Sequence, residues 1–188
     1  YMQTGDDHLL KSRYEDLKRK SLIALTDDNG LISTRTGKKT EAFLRSLNFP
    51  GRVTQFRDIV DWPQGPPKGR KAAGNQSPLA GGETDGFVYT DYNAVVNAFH
   101  HRSLVLMGRI AKVVGKKEDH AFFVERSKAH RAAYLSIFFD RDTGRFKDGD
   151  ATDHASLHAN MFPMAFGMVP EAHIKTVAEF IKSRGMAC

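Results

Sequence analysis

Cysteine is almost absent from this 188-residue chain. Cys188 stands alone, which excludes an internal disulfide and any zinc site built from cysteines. Long apolar runs are missing too: none approaches the ~20 residues of a membrane span, so no membrane partner is expected. No signal-peptide pattern opens the chain, yet its compartment stays open between the cytoplasm and a secreted or periplasmic location. No residue pattern recurs at a period of roughly 30–45 residues, which disfavours tetratricopeptide-like arrays. Charge of one sign is only mildly in excess, with 28 Lys and Arg against 22 Asp and Glu giving +6. Much of that excess lies in two runs, Lys11 to Lys20 and Lys68 to Lys71, rather than on a patterned basic face, so no nucleic-acid partner is expected. Tryptophan occurs once, at Trp62.

What is present is ordinary for one globular domain: 40% hydrophobic and 27% charged residues. Helical periodicity dominates. Asp6 to Thr26 reads as a helix through Leu9, Leu10, Tyr14, Leu17 and Leu22, followed by a turn at Asp27 to Gly30. Thr40 to Leu47 reads as a short helix, with Phe43, Leu44 and Leu47 on one side. Thr90 can cap a largely apolar helix over Asp91 to Val114 that Gly115 ends. Glu118 to Phe139 carries many charges, with Phe122, Ala129, Ala132, Ala133 and Ile137 as its inward face. Asp140 to Gly144 turns the chain, and Arg145 to Asp148 reads as a short extended piece.

The stretch Thr152 to Pro170 is the most apolar, with Leu157, Met161, Phe162, Met164, Ala165, Phe166 and Met168. It reads as an inner helix whose body is core and whose first turns, with His154, Ser156, His158 and Asn160, open into a polar pocket. Pro170 then starts an amphipathic helix with Ile174, Val177, Ala178 and Ile181 inward. Apolar helices alternating with amphipathic ones imply two concentric helical layers, as in an α/α toroid or a stacked α-solenoid. The expected class is all-α.

Gln64 to Thr84 breaks the pattern with Pro66, Pro67, Pro78 and five glycines, and reads as a long loop at 64–84 rimming a site, with a tolerated surface insertion as the alternative for its middle part, Lys68 to Leu79. Trp62 and Asp61 stand before this loop, and Glu83 and Asp85 stand at its far end. An indole beside carboxylates suits sugar recognition: the ring packs on the apolar face of a pyranose, and carboxylates accept hydrogen bonds from its hydroxyls. Glycoside hydrolysis also runs on paired carboxylates; a buried tryptophan with solvated loop acids is an equal alternative on composition alone.

Competing signals are weaker. His154 and His158 stand four apart, as two metal ligands on one helix face would, but position 155 is Ala where a zinc protease needs its Glu. No metal and no cofactor is expected. Asp140 to Gly144 mimics the start of a calcium loop, but Arg145 takes the glycine position and Ala151 that of the bidentate acid. Ser156 near His158 makes no triad, because nothing marks an oxyanion hole. His100 and His101 read as core or interhelical polar groups.

Five blocks carry a family resemblance. They are Ile59-Val60-Asp61-Trp62-Pro63, Gly82-Glu83-Thr84-Asp85-Gly86-Phe87 and Tyr92 to His100; then Ser156-Leu157-His158-Ala159-Asn160-Met161-Phe162-Pro163 with Ala165-Phe166-Gly167, and Phe180 to Cys188. Over most of its length the chain resembles bacterial α-L-rhamnosidases of glycoside hydrolase family 78. That resemblance implies part of an (α/α)6 barrel of antiparallel helical hairpins, so residues 1–188 are expected to be a fragment of one catalytic domain. It also implies inverting hydrolysis without a cofactor, on a rhamnose-containing carbohydrate. Asp61, Trp62, Glu83 and Asp85 would line the sugar site, with His158 and Asn160 near it.

The family's general-acid motif would lie before Tyr1 and its general-base glutamate beyond Cys188. If either is present here, Asp61, Glu83 and Asp85 are the candidates. The expected partners are then the substrate and the rest of the catalytic domain, and the isolated piece is expected to self-associate. The alternative function is a non-catalytic helical module binding a carbohydrate or an anion. A toroidal lyase acting on uronate sugars is a third reading.

Overall fold

The computed structural model describes residues 3–53, 58, 60 and 86–185. Its described part is helical apart from one short two-stranded ribbon and two isolated bridges, as the periodicity predicts. The helices are α1 His8–Arg19, α2 Glu41–Ser46, α3 Ala94–Val113, α4 Lys117–Phe138, α5 Leu157–Ala165 and α6 Ile174–Arg184. The strands are β1 Phe139–Asp140 and β2 Arg145–Phe146, antiparallel with Phe139 opposite Phe146 and Asp140 opposite Arg145. The described residues form two compact units, one from Tyr1–Arg57 and Phe99–Tyr134, the other from Asp58–Ala98 and Leu135–Cys188.

In the first unit, Tyr14 of α1 packs with Leu104, Met107, Ala111 and Phe123 as a buried cluster. The Tyr14 hydroxyl donates to Asp119 at 2.7 Å, and Lys18 pairs with the same carboxylate. α1 ends at Arg19, short of the expected Thr26. Leu22 takes a left-handed φ of 63° and a 3-10 turn, Ile23–Leu25, follows, which carries Leu25 into the core. The α3–α4 connection is a Schellman turn: Lys116 N–H donates to Ala111 and Gly115 N–H to Lys112, with Gly115 at φ 79°. The buried residues of α4 in this unit are Phe123, His130 and Tyr134, whereas Phe122 is 48% exposed. The inward face is therefore turned by one residue from the expected one.

In the second unit, the β1–β2 hairpin turns on Asp140, whose carboxylate accepts from the Asp142 and Thr143 backbone and the Thr143 hydroxyl. The expected turn and extended piece are thus one hairpin. α6 packs against α5 and β2, burying Val177 and Phe180 and leaving Ile174, expected inward, 46% exposed. α5 begins at Leu157, later than the expected Thr152, because Ser156 is the residue that caps it: its Oγ accepts from Ala159 N–H. The depth of this helix also differs from expectation. Ser156, His158 and Asn160 are buried, while Met161, Phe162, Met164 and Phe166 are only half-buried. Among the described residues no helix is long and apolar enough to cross a membrane.

Candidate functional site

A polar corner of the second unit is built on one carboxylate. Asp148, two residues past β2, is wholly buried. Its Oδ1 accepts from Ser156 N–H at 2.9 Å; its Oδ2 accepts from Val88 N–H at 2.9 Å and lies 2.6 Å from His154 Nδ1. Its backbone joins in, with Asp148 N–H donating to the His154 carbonyl and its own carbonyl accepting from Ala94 N–H, the first residue of α3. An ionised carboxylate is acceptor-only, so three donors on two oxygens offset its desolvation. Asp148 thereby ties the 86–88 stretch, the start of α3 and the start of α5 to one point.

Close packing keeps this point in register. Asn93 bridges Gly149, and a side chain at position 149 would collide with Thr90 Oγ1 and come within 2.8 Å of the Tyr92 carbonyl. Thr90 Oγ1 donates to that carbonyl and accepts from Asp150 N–H. Thr90, expected to cap α3, instead holds the neighbouring loop. Asn93 supplies the cap, its Oδ1 accepting from Val96 N–H.

His154 is the exposed end of the arrangement. Its side chain is 36% exposed, and it lies before the cap of α5, not on its face. The spacing that suggested two metal ligands on one helix face therefore does not place His154 and His158 on a common face. With Asp148 on Nδ1, the proton of the neutral ring is assigned to Nδ1 and Nε2 is left as an acceptor. Beside Nε2 sits Gly86, at φ 70°, where an added Cβ would lie 3.5 Å from that nitrogen.

The two α5 residues expected near a sugar both fall within this unit. His158 is 5% exposed and faces the Phe162 ring at 5.9 Å between centroids. Asn160 is wholly buried: its Oδ1 accepts from Phe146 N–H, and its Nδ2 donates to the Phe146 and Ser156 carbonyls. It clamps β2 to α5. Asp61, Trp62, Glu83 and Asp85, with the whole 64–84 loop, lie outside the described residues. Sequence reasoning missed Asp148, whose only signal is that it follows a strand and precedes a helix cap. No periodicity marks a residue whose partners are loop amides.

The first unit holds a second polar group, made of histidines. His130 is 1% exposed, with ring centroids of His100 and His101 at 5.0 and 5.6 Å. His100 Nδ1 meets the Ser21 carbonyl at 2.9 Å. Burial holds all three neutral, pushing His100 and His101 down to about 4 and His130 to about 2. Among the described residues no three His, Cys, Asp or Glu side chains group so as to hold a metal ion.

Residues 1–186 match the family model described as the bacterial alpha-L-rhamnosidase 6 hairpin glycosidase domain. A curated alpha-L-rhamnosidase of Alteromonas sp. (strain LOR) is 24% identical over 174 residues, covering 93% of this chain and 15% of that relative. The chain thus spans a small part of the length of the curated relative it matches.

Proposed function

Since the chain belongs to the bacterial α-L-rhamnosidase six-hairpin glycosidase family, we propose that its parent protein hydrolyses terminal α-L-rhamnosides with inversion. In such a reaction one carboxylic acid protonates the leaving oxygen while a second carboxylate activates water on the opposite face of the sugar. This chain supplies sugar-site residues in that reading: Asp61, Trp62, Glu83 and Asp85 line the pocket, with His158 and Asn160 beside it. The acid and base are carried elsewhere in the parent.

The observation that carries the reading is the family match over residues 1–186, to which the structure adds the Asp148 junction. That junction anchors Val88, three residues after Asp85 in the chain, to the start of α5 through hydrogen bonds to one buried carboxylate. A sugar site needs its acceptors held rigidly, because binding energy is lost when loops must order on contact. Asn160 then acts at one remove, fixing β2 against α5 while His158 packs in the same turn.

The test is hydrolysis of an aryl α-L-rhamnoside by the full-length parent and by this 188-residue chain. Activity in the parent alone is the expected result. Activity in the chain would place the acid and base here, with Asp61, Glu83 and Asp85 as the first residues to substitute. If neither hydrolyses the rhamnoside, the glycosidase reading fails.

A further inference from the structure

We infer that His154 contacts the substrate, its Nε2 accepting a hydrogen bond from a ring hydroxyl of the bound terminal sugar. The inference rests on the glycosidase reading above. Three observations converge on this nitrogen. The opposite ring nitrogen, Nδ1, is 2.6 Å from a carboxylate that is itself wholly buried and held by two backbone N–H groups. The imidazole is thus aimed by a fixed group, not by solvent, and its tautomer presents a lone pair outward. The ring is more than one-third exposed, and Nε2 has no hydrogen-bond partner among the described residues.

Gly86 provides the third observation. The position beside Nε2, where any other residue would put a Cβ at 3.5 Å, is held by a glycine in a left-handed conformation. An oriented acceptor next to a missing side chain is a subsite for a small donor, and a sugar hydroxyl is a donor of that size. A purely structural His–Asp pair would not need the exposed edge.

His154→Asn in the full-length parent separates contact from support. An asparagine Nδ2 can replace the Nδ1 donor to Asp148 while deleting Nε2. The expected result is a KM for an aryl α-L-rhamnoside raised about tenfold, with kcat within about twofold and an unchanged melting temperature, since one hydrogen bond to substrate is lost. Gly86→Ala, which places a methyl beside Nε2, is expected to raise KM in the same direction. His154→Gln, which reaches the Nε2 position but abandons Asp148, is expected to lower the melting temperature.

A folded His154→Asn enzyme with wild-type KM would overturn the inference and leave the glycosidase reading standing. A melting temperature that falls with both kinetic constants would also overturn it, making His154 a structural group only. An inactive wild-type parent would sink the glycosidase reading and this inference with it.

Discussion

Asp148 shows how much a single buried acceptor organises. Its two oxygens collect three N–H donors from residues 88, 154 and 156. Replacing it with Asn keeps the shape but turns one acceptor into a donor that faces other donors. We expect Asp148→Asn to destabilise the full-length parent by about 2–4 kcal/mol, read as a lower urea midpoint. Gly149→Ala should also destabilise, by about 1–3 kcal/mol, because its methyl would meet Thr90 and the Tyr92 carbonyl. A wild-type midpoint for either variant would contradict the packing described. Asn160 was legible as a polar residue in a buried helix; its partner, the Phe146 backbone, was not, because the two meet only after the hairpin folds back.

Between helices the informative residues are polar. The α4 face was read from Phe122 and the alanines, and it is turned by one residue because His130 occupies a core position with Phe123 and Tyr134. A scale that counts histidine as polar places the wrong face inward. The neutral state of these histidines has a consequence for pH. Their folded values, about 4 for His100 and His101 and about 2 for His130, lie below the ordinary 6.5. The unfolded chain therefore binds protons first as pH falls. Stability is full above about 6.5 and declines below it, by ~1.4 kcal/mol per pH unit for each histidine, until the folded values are reached.

Arg126 disfavours the charged forms of His100 and His130, as Arg131 and Arg102 do for His101, while Tyr134 contributes a neutral ring beside His130. Urea midpoints at pH 7, 6 and 5 should fall in that order, and His130→Phe should flatten the series. A flat wild-type series would contradict the neutral cluster.

At the scale of the molecule, several large apolar side chains face solvent: Leu9 at 66%, Phe99 at 49%, Phe122 at 48%, Ile174 at 46% and Leu106 at 39%. Where such side chains form a contiguous patch, they mark contact with further protein. We expect the 188-residue chain, produced alone, to self-associate in sedimentation velocity. A monomer melting cooperatively at every concentration tested would refute this. The chain spans 15% of the length of its Alteromonas relative.

Period and punctuation alone determined the helical class, the order of the elements and most of their existence, because a 3.6-residue repeat is a local property of the chain. Matching blocks pointed to the six-hairpin rhamnosidase family, which the match over residues 1–186 bears out. Helix ends were misjudged where tertiary contacts set them: Leu22 bends away as Leu25 enters the core, and Ser156 rather than Thr152 caps α5. Only the tertiary structure decided that Asp148 holds the His154 ring beside Gly86. Those residues lie 68 positions apart at their widest, and the carboxylate that aims the ring is itself held by backbone amides, which carry no sequence signature.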